Sequence, residues 1–208
     1  MIIIIDNGSQ YTHLIKRNCR DLGFDGEIIS NKKTMSEVKN LVKNAEKIIL
    51  SGGPSSVYAE NNGLAEEIIR KVSGIRFQAS GAKASNLMPD TRLQIPILGI
   101  CFGHQLLAHL LGGKVKKGAS AEYGITRITV DERDLILDGM PDGFQAWASH
   151  FDEVETLPED FIGLAHSETC GYEAMRHKTK PIFGVQFHPE VWHTENGERI
   201  LKNFLNIK

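Results

Sequence analysis

The chain has 208 residues, long enough for one well-buried α/β domain and short for two. With 24 basic against 26 acidic residues, the net charge of −2 removes any electrostatic case for nucleic acid or a membrane surface as partner. Three cysteines, Cys19, Cys101 and Cys170, have no paired spacing, which argues against a disulfide framework and for a reducing, cytoplasmic setting.

The first apolar run, Ile2–Ile5, is too short to cross a membrane and has no cleavage region after it, so it reads as a buried central strand. Apolar spacing then predicts a helix over 10–22, a strand over 26–29, a helix over 35–44 and a strand over 47–50. That strand ends at Ser51-Gly-Gly-Pro54, and a helix follows over 63–72. Residues 73–94, rich in Gly, Ser, Ala and Lys without apolar period, read as an exposed loop inserted in a single domain spanning 1–208. A strand over 96–100 leads straight into a helix over 103–112. Beyond it the pattern shifts to shorter strands, near 114–117, 124–130, 144–148, 153–156, 161–167, 171–177 and 181–187, with a last helix over 196–206. Strand–helix units followed by a run of strands predict an α/β fold with a mixed, mainly parallel central sheet, flanked by helices and extended by antiparallel strands.

The junction at 96–112 points to chemistry. Gly99-Ile-Cys101-Phe-Gly103 puts glycine two residues either side of a cysteine, between a strand and a helix, which is the layout of a nucleophile elbow. The sharp turn leaves no room for flanking side chains, and the helix N-terminus favours negative charge on the exposed sulfur. A cysteine nucleophile needs a base, and the base needs an orienting acid. Strand 181–187 ends in His188-Pro189-Glu190, where the proline holds the link extended and lets His188 and Glu190 project to one side. Both groups then stand at a strand's carboxyl end, as Cys101 does. Gly52 and Gly53 follow the 47–50 strand at the same edge, so the N–H groups of Gly53 and Phe102 are candidates to hold an oxyanion. The eight histidines include no His-Glu-x-x-His and no zinc-like spacing, and a metal is not expected.

Gly99-Ile-Cys-Phe-Gly-His-Gln105, Ser51-Gly-Gly-Pro54 and Phe187-His-Pro-Glu190 together resemble the class I (triad) glutamine amidotransferases over nearly the whole chain, beginning at Asp6-Asn-Gly-Ser-Gln10. Glu122-Tyr-Gly124, Trp147-Ala-Ser-His150 with Asp152-Glu-Val154, and Val191-Trp-His-Thr-Glu195 resemble the branch that serves GMP synthase. Segment 73–94 departs from the family pattern, in which this connection takes a few residues.

The resemblance implies that Cys101, His188 and Glu190 form the triad and that glutamine is hydrolysed to glutamate and ammonia. It implies glutamine binding by Gly52, Gln105 and main-chain groups near Ser149, His150 and Phe151. His150 and Asp152, in what reads as a loop at the active-site mouth, become candidates to sense or contact the partner. It further implies no cofactor in this chain, with ATP and magnesium used by a separate synthetase subunit that receives the ammonia and converts xanthosine monophosphate to GMP. The alternatives are a subunit feeding another acceptor, such as chorismate, and a non-catalytic member of the fold.

Overall fold

In the computed structural model, residues 1–72 and 95–207 are described; the expected insertion at 73–94 lies outside them. Nine strands form one sheet in the order β2-β1-β3-β4-β9-β8-β7-β5-β6. In chain order they are β1 (Ile2–Asp6), β2 (Gly26–Ser30), β3 (Lys47–Leu50), β4 (Ile97–Ile100), β5 (Lys114–Val130), β6 (Gly143–Thr156), β7 (Phe161–His166), β8 (Ala174–His177) and β9 (Ile182–Val185). The helices are α1 (Thr12–Asp21), α2 (Met35–Lys43), α3 (Gly63–Val72), α4 (Phe102–Leu110) and α5 (Gly197–Leu205).

Strands β2, β1, β3, β4 and β9 pair in parallel, and β8, β7, β5 and β6 continue the sheet antiparallel. The isoleucine run explains why β1 lies inside. Successive strand side chains alternate faces. Ile2 and Ile4 therefore enter one core with Ile15 of α1 and Phe204 of α5, while Ile3 and Ile5 enter another with Val38 of α2 and Leu106 of α4. Both faces are thus covered by helices, as a parallel sheet requires.

Two expectations need correction. The strands expected at 114–117 and 124–130 are one strand, β5, and those at 144–148 and 153–156 are one strand, β6. Their pairing runs from Lys114↔Thr156 to Thr129↔Gly143, with a register shift between Lys117 and Glu122. Ser149–Asp152 is therefore strand rather than loop. Its polar residues mislead because His150 is buried against its cross-strand partner Glu122, so the alternation persists with a polar pair on the inner face.

Backbone contact sets the requirement for glycine at the elbow. A Cβ on Gly99 would lie 2.4 Å from the Gly103 carbonyl oxygen, and one on Gly103 would lie 2.5 Å from that of Leu50. Backbone atoms in two central strands and α4 cannot yield as a flexible side chain can. Gly103→Ala is expected to lower stability by about 1–3 kcal/mol, as overpacking does, seen as a fall in Tm, and to displace Cys101 enough to abolish its selective alkylation. A variant with native Tm and native thiol reactivity would show that the close approach to β3 is relaxed in solution.

Candidate active site

Cys101 sits between β4 and α4 with φ 51 and ψ −106, a conformation that L-residues avoid. The strain is maintained by its surroundings. The Cys101 N–H donates to the Val185 carbonyl at 2.8 Å, and the Gln105 N–H donates to the Cys101 carbonyl at 3.1 Å, closing the first turn of α4. The thiol faces the Ser149 carbonyl oxygen of β6 at 3.9 Å. The other two cysteines are also buried and free, and burial pushes Cys19 up to about 11 and Cys170 higher still. Those thiols are packing groups, held protonated.

β9 ends one strand position from β4 and delivers His188. Its Nδ1 lies 2.8 Å from Glu190 Oε1, with both side chains buried. Burial opposes an imidazolium here, yet the Glu190 charge and hydrogen bonds with Cys101 and Glu190 outweigh it and hold His188 well above its usual value. The second Glu190 oxygen is buried without a partner among the described residues, so the imidazolium is the counter-charge at hand.

Several groups that pattern did not single out hold the histidine. Its N–H donates to the Trp147 carbonyl at 2.9 Å, and its carbonyl accepts from the Thr194 hydroxyl at 2.7 Å. Tyr11 packs edge-on against the imidazole with centroids 5.0 Å apart, and Asn18 Nδ2 donates to the Glu190 carbonyl at 3.1 Å.

Gly52 is the glycine against the reacting pair: a Cβ there would lie 3.1 Å from His188 Cε1 and 3.5 Å from the Cys101 Cβ. Gly53 backs onto Asn7, where a Cβ would meet the carbonyl oxygen at 2.6 Å. Asn7 also clamps the loop, its N–H donating to Ser51 Oγ at 2.9 Å and its Nδ2 to the Ser51 carbonyl at 2.8 Å. Among the described residues no backbone acceptor meets the Gly53 or Phe102 N–H.

Gln105 lies on the first turn of α4 as expected, but its nitrogen is engaged. It donates to the Asp152 carbonyl at 2.6 Å and to Gln186 Oε1 at 3.1 Å, which ties α4 to β6. His150 is expected to sense or contact the partner. Its side chain points inward to Glu122 Oε2 at 3.2 Å and is buried, because the inner face of the β5–β6 ribbon closes over it. Asp152 is half-buried and Phe151 exposed, and Ser149 and Phe151 are two apart on the outer face. Among the described residues one group could gather a metal ion, Glu122, His150 and Glu173, with ligand atoms mutually within 4.8 Å. No sequence spacing reveals it, since its members come from β5, β6 and the turn before β8.

A model of the glutamine amidotransferase class-I family matches residues 3–207. A protein of Pyrococcus abyssi, named as one subunit of glutamine-hydrolyzing GMP synthase, is 45% identical over 207 residues, covering 100% of this chain and 98% of its own length. The protein of the same name from Methanocaldococcus jannaschii is 44% identical, covering 100% and 97%. The crystal structure of a Thermoplasma acidophilum protein, described as a GMP synthase subunit, superposes with a TM-score of 0.80 at 34% identity, over 98% of this chain and 91% of that one.

Proposed function

The chain belongs to the class I glutamine amidotransferase family, and from that premise we propose that it is the glutaminase subunit of a two-subunit GMP synthase. The observation that carries the chemistry is the strained Cys101 beside the buried His188–Glu190 pair.

The thiolate of Cys101 attacks the side-chain amide carbon of glutamine, and the carbonyl electron pair moves to oxygen. The N–H groups of Gly53 and Phe102 hold that oxyanion. The His188 imidazolium, stabilised by Glu190, gives its proton to the departing nitrogen, and ammonia leaves a glutamyl thioester on Cys101. His188 then takes a proton from water, whose oxygen attacks the thioester and releases glutamate. Gly52 leaves space for the substrate beside the pair, and main-chain groups of Ser149, His150 and Phe151 line its α-carbon end. No cofactor is needed for these steps.

The ammonia passes to an ATP- and magnesium-dependent partner that converts xanthosine monophosphate to GMP. The relatives' naming as one subunit of the synthase supports a second, separate one. A contact face is at hand on the outer side of the β5–β6 ribbon. Tyr123, Ile125 and Phe151 are exposed there, and Trp192 lies tilted against His193, which stacks on Trp147. Asp152 follows Phe151 on β6 and is half-buried.

A glutaminase that runs alone wastes glutamine, so the partner with ATP and xanthosine monophosphate is expected to raise hydrolysis roughly tenfold or more, about 1.4 kcal/mol of coupling. The adjustable unit is the Gly52–Gly53 peptide, since Ser51 before it is fixed by Asn7. Glutamate release is measured for the isolated chain and for the complex. Turnover that is equal in all conditions would remove the coupling. Absence of any hydrolysis in the complex would remove the function.

A further inference from the structure

We propose that the Glu122–His150–Glu173 cluster is a positioning device for the glutamine site: Glu173 holds a proton, Glu122 stays charged, and the bond between His150 and Glu122 clamps the Ser149–Phe151 segment of β6 against Cys101. The inference rests on the glutamine reading above and adds residues that act through β6 rather than on substrate.

Donor counting supports it. Glu122 Oε1 accepts from the Ser167 hydroxyl at 2.6 Å and from the Thr169 hydroxyl. Its Oε2 lies 3.2 Å from His150 Nε2, which donates to the charged carboxylate. His150 Nδ1 is buried with no partner among the described residues, and so are both carboxyl oxygens of the fully buried Glu173. Acceptors remain and donors have run out. A proton on Glu173 supplies the missing O–H and removes one of two negative charges confined within 4.8 Å of one another. Burial, and then the Glu122 charge, accordingly push Glu173 well above the usual carboxyl range. Against its own burial, hydrogen bonds led by the one from His150 hold Glu122 at about 2.

Position makes the cluster matter. His150 directly follows Ser149, whose carbonyl faces the nucleophile. The ladder shifts register between Lys117 and Glu122, so Phe151 has no ladder partner on β5 and this stretch leans on side-chain tethers. His150 supplies one tether and the bond from Gln105 to the Asp152 carbonyl supplies the other. The Gln186 N–H, donating to the Glu173 carbonyl at 2.8 Å, links the cluster to the strand that carries His188.

The test uses Glu173→Gln, whose amide N–H replaces the acid O–H, and Glu173→Leu, which supplies no donor. A glutamine-like diazo-ketone reports binding through its half-saturation, and iodoacetamide reports thiol reactivity. Glu173→Gln should keep the half-saturation within about threefold, whereas Glu173→Leu should raise it about tenfold or more, equivalent to about 1.4 kcal/mol, with the iodoacetamide rate unchanged. Infrared spectra at neutral pH should show the carbonyl stretch of one protonated carboxyl in the wild type and none in Glu173→Gln. This readout stands even if Glu173→Leu fails to fold or the diazo-ketone fails to label, the latter failure counting against the glutamine reading alone. Absence of that band, a stoichiometric bound divalent ion, or a native half-saturation in Glu173→Leu would overturn the proposal.

Discussion

Cys101→Ala is expected to abolish glutamine-dependent amination by the assembled enzyme while amination from added ammonium continues at the native rate. The physical basis is that this thiol supplies the bond-forming electron pair and nothing else here can. Cys19 and Cys170 are buried, have no hydrogen bond to the His188–Glu190 pair among the described residues, and burial holds both protonated. Removing a nucleophile that acts as a unit with its base costs on the order of 10⁵-fold or more in turnover. The methyl group of alanine fits where the Cβ of cysteine already lies, so the fold and any docking surface persist. Ammonium-dependent synthesis in the same sample is the internal control. A mutant complex that retains glutamine-dependent synthesis would exclude Cys101, and one that loses both activities would show a failure of assembly.

Glu190→Gln should lower glutaminase turnover by about 10²- to 10⁴-fold without unfolding the protein. Glutamine has the shape of glutamate but no charge. With Glu190 neutral, the burial that already opposes the imidazolium is no longer outweighed, and the pKa of His188 falls. In the proposed mechanism protonated His188 is the acid that delivers the proton to the departing amide nitrogen. Activity dependent on it is present below the His188 pKa and lost as pH rises through it, so the alkaline limb of the pH–rate profile must move to lower pH in the variant. A native rate with an unmoved alkaline limb would make Glu190 structural and assign the orienting role to another acid. Stopped assays across pH, with Tm measured in parallel, decide between the two.

The parts of the molecule that were legible in the sequence are those whose reason is local. The Ile2–Ile5 run declares a strand buried on both faces, and the two cores divide those isoleucines alternately. Gly99 declares the elbow because its close approach is to the Gly103 backbone four residues on, although Gly103 itself abuts the remote Leu50. His188 and Glu190 sit two residues apart and meet at 2.8 Å. What was not legible depends on partners remote in sequence. Asn18 reaches Glu190 across 172 positions, and Gln105 reaches Gln186 across 81. The polar stretch at Ser149–Asp152 looks like a loop until Glu122, 28 positions away, is seen to satisfy His150. Alternation survives there, but with a hydrogen-bonded pair on the inner face where an apolar pair would have announced a strand. Glu173 sends no pattern signal at all, since its meaning comes from being buried beside a second carboxyl.

A single thiol, Cys101, is assigned as the site of covalent attack on a glutamine-shaped substrate. Peptide mapping by mass spectrometry after treatment with the glutamine-like diazo-ketone tests it most directly. One adduct per chain is expected, on the peptide containing Cys101, prevented by excess glutamine and absent from Cys101→Ala. An adduct on Cys19 or Cys170, or labelling that glutamine does not suppress, would contradict it.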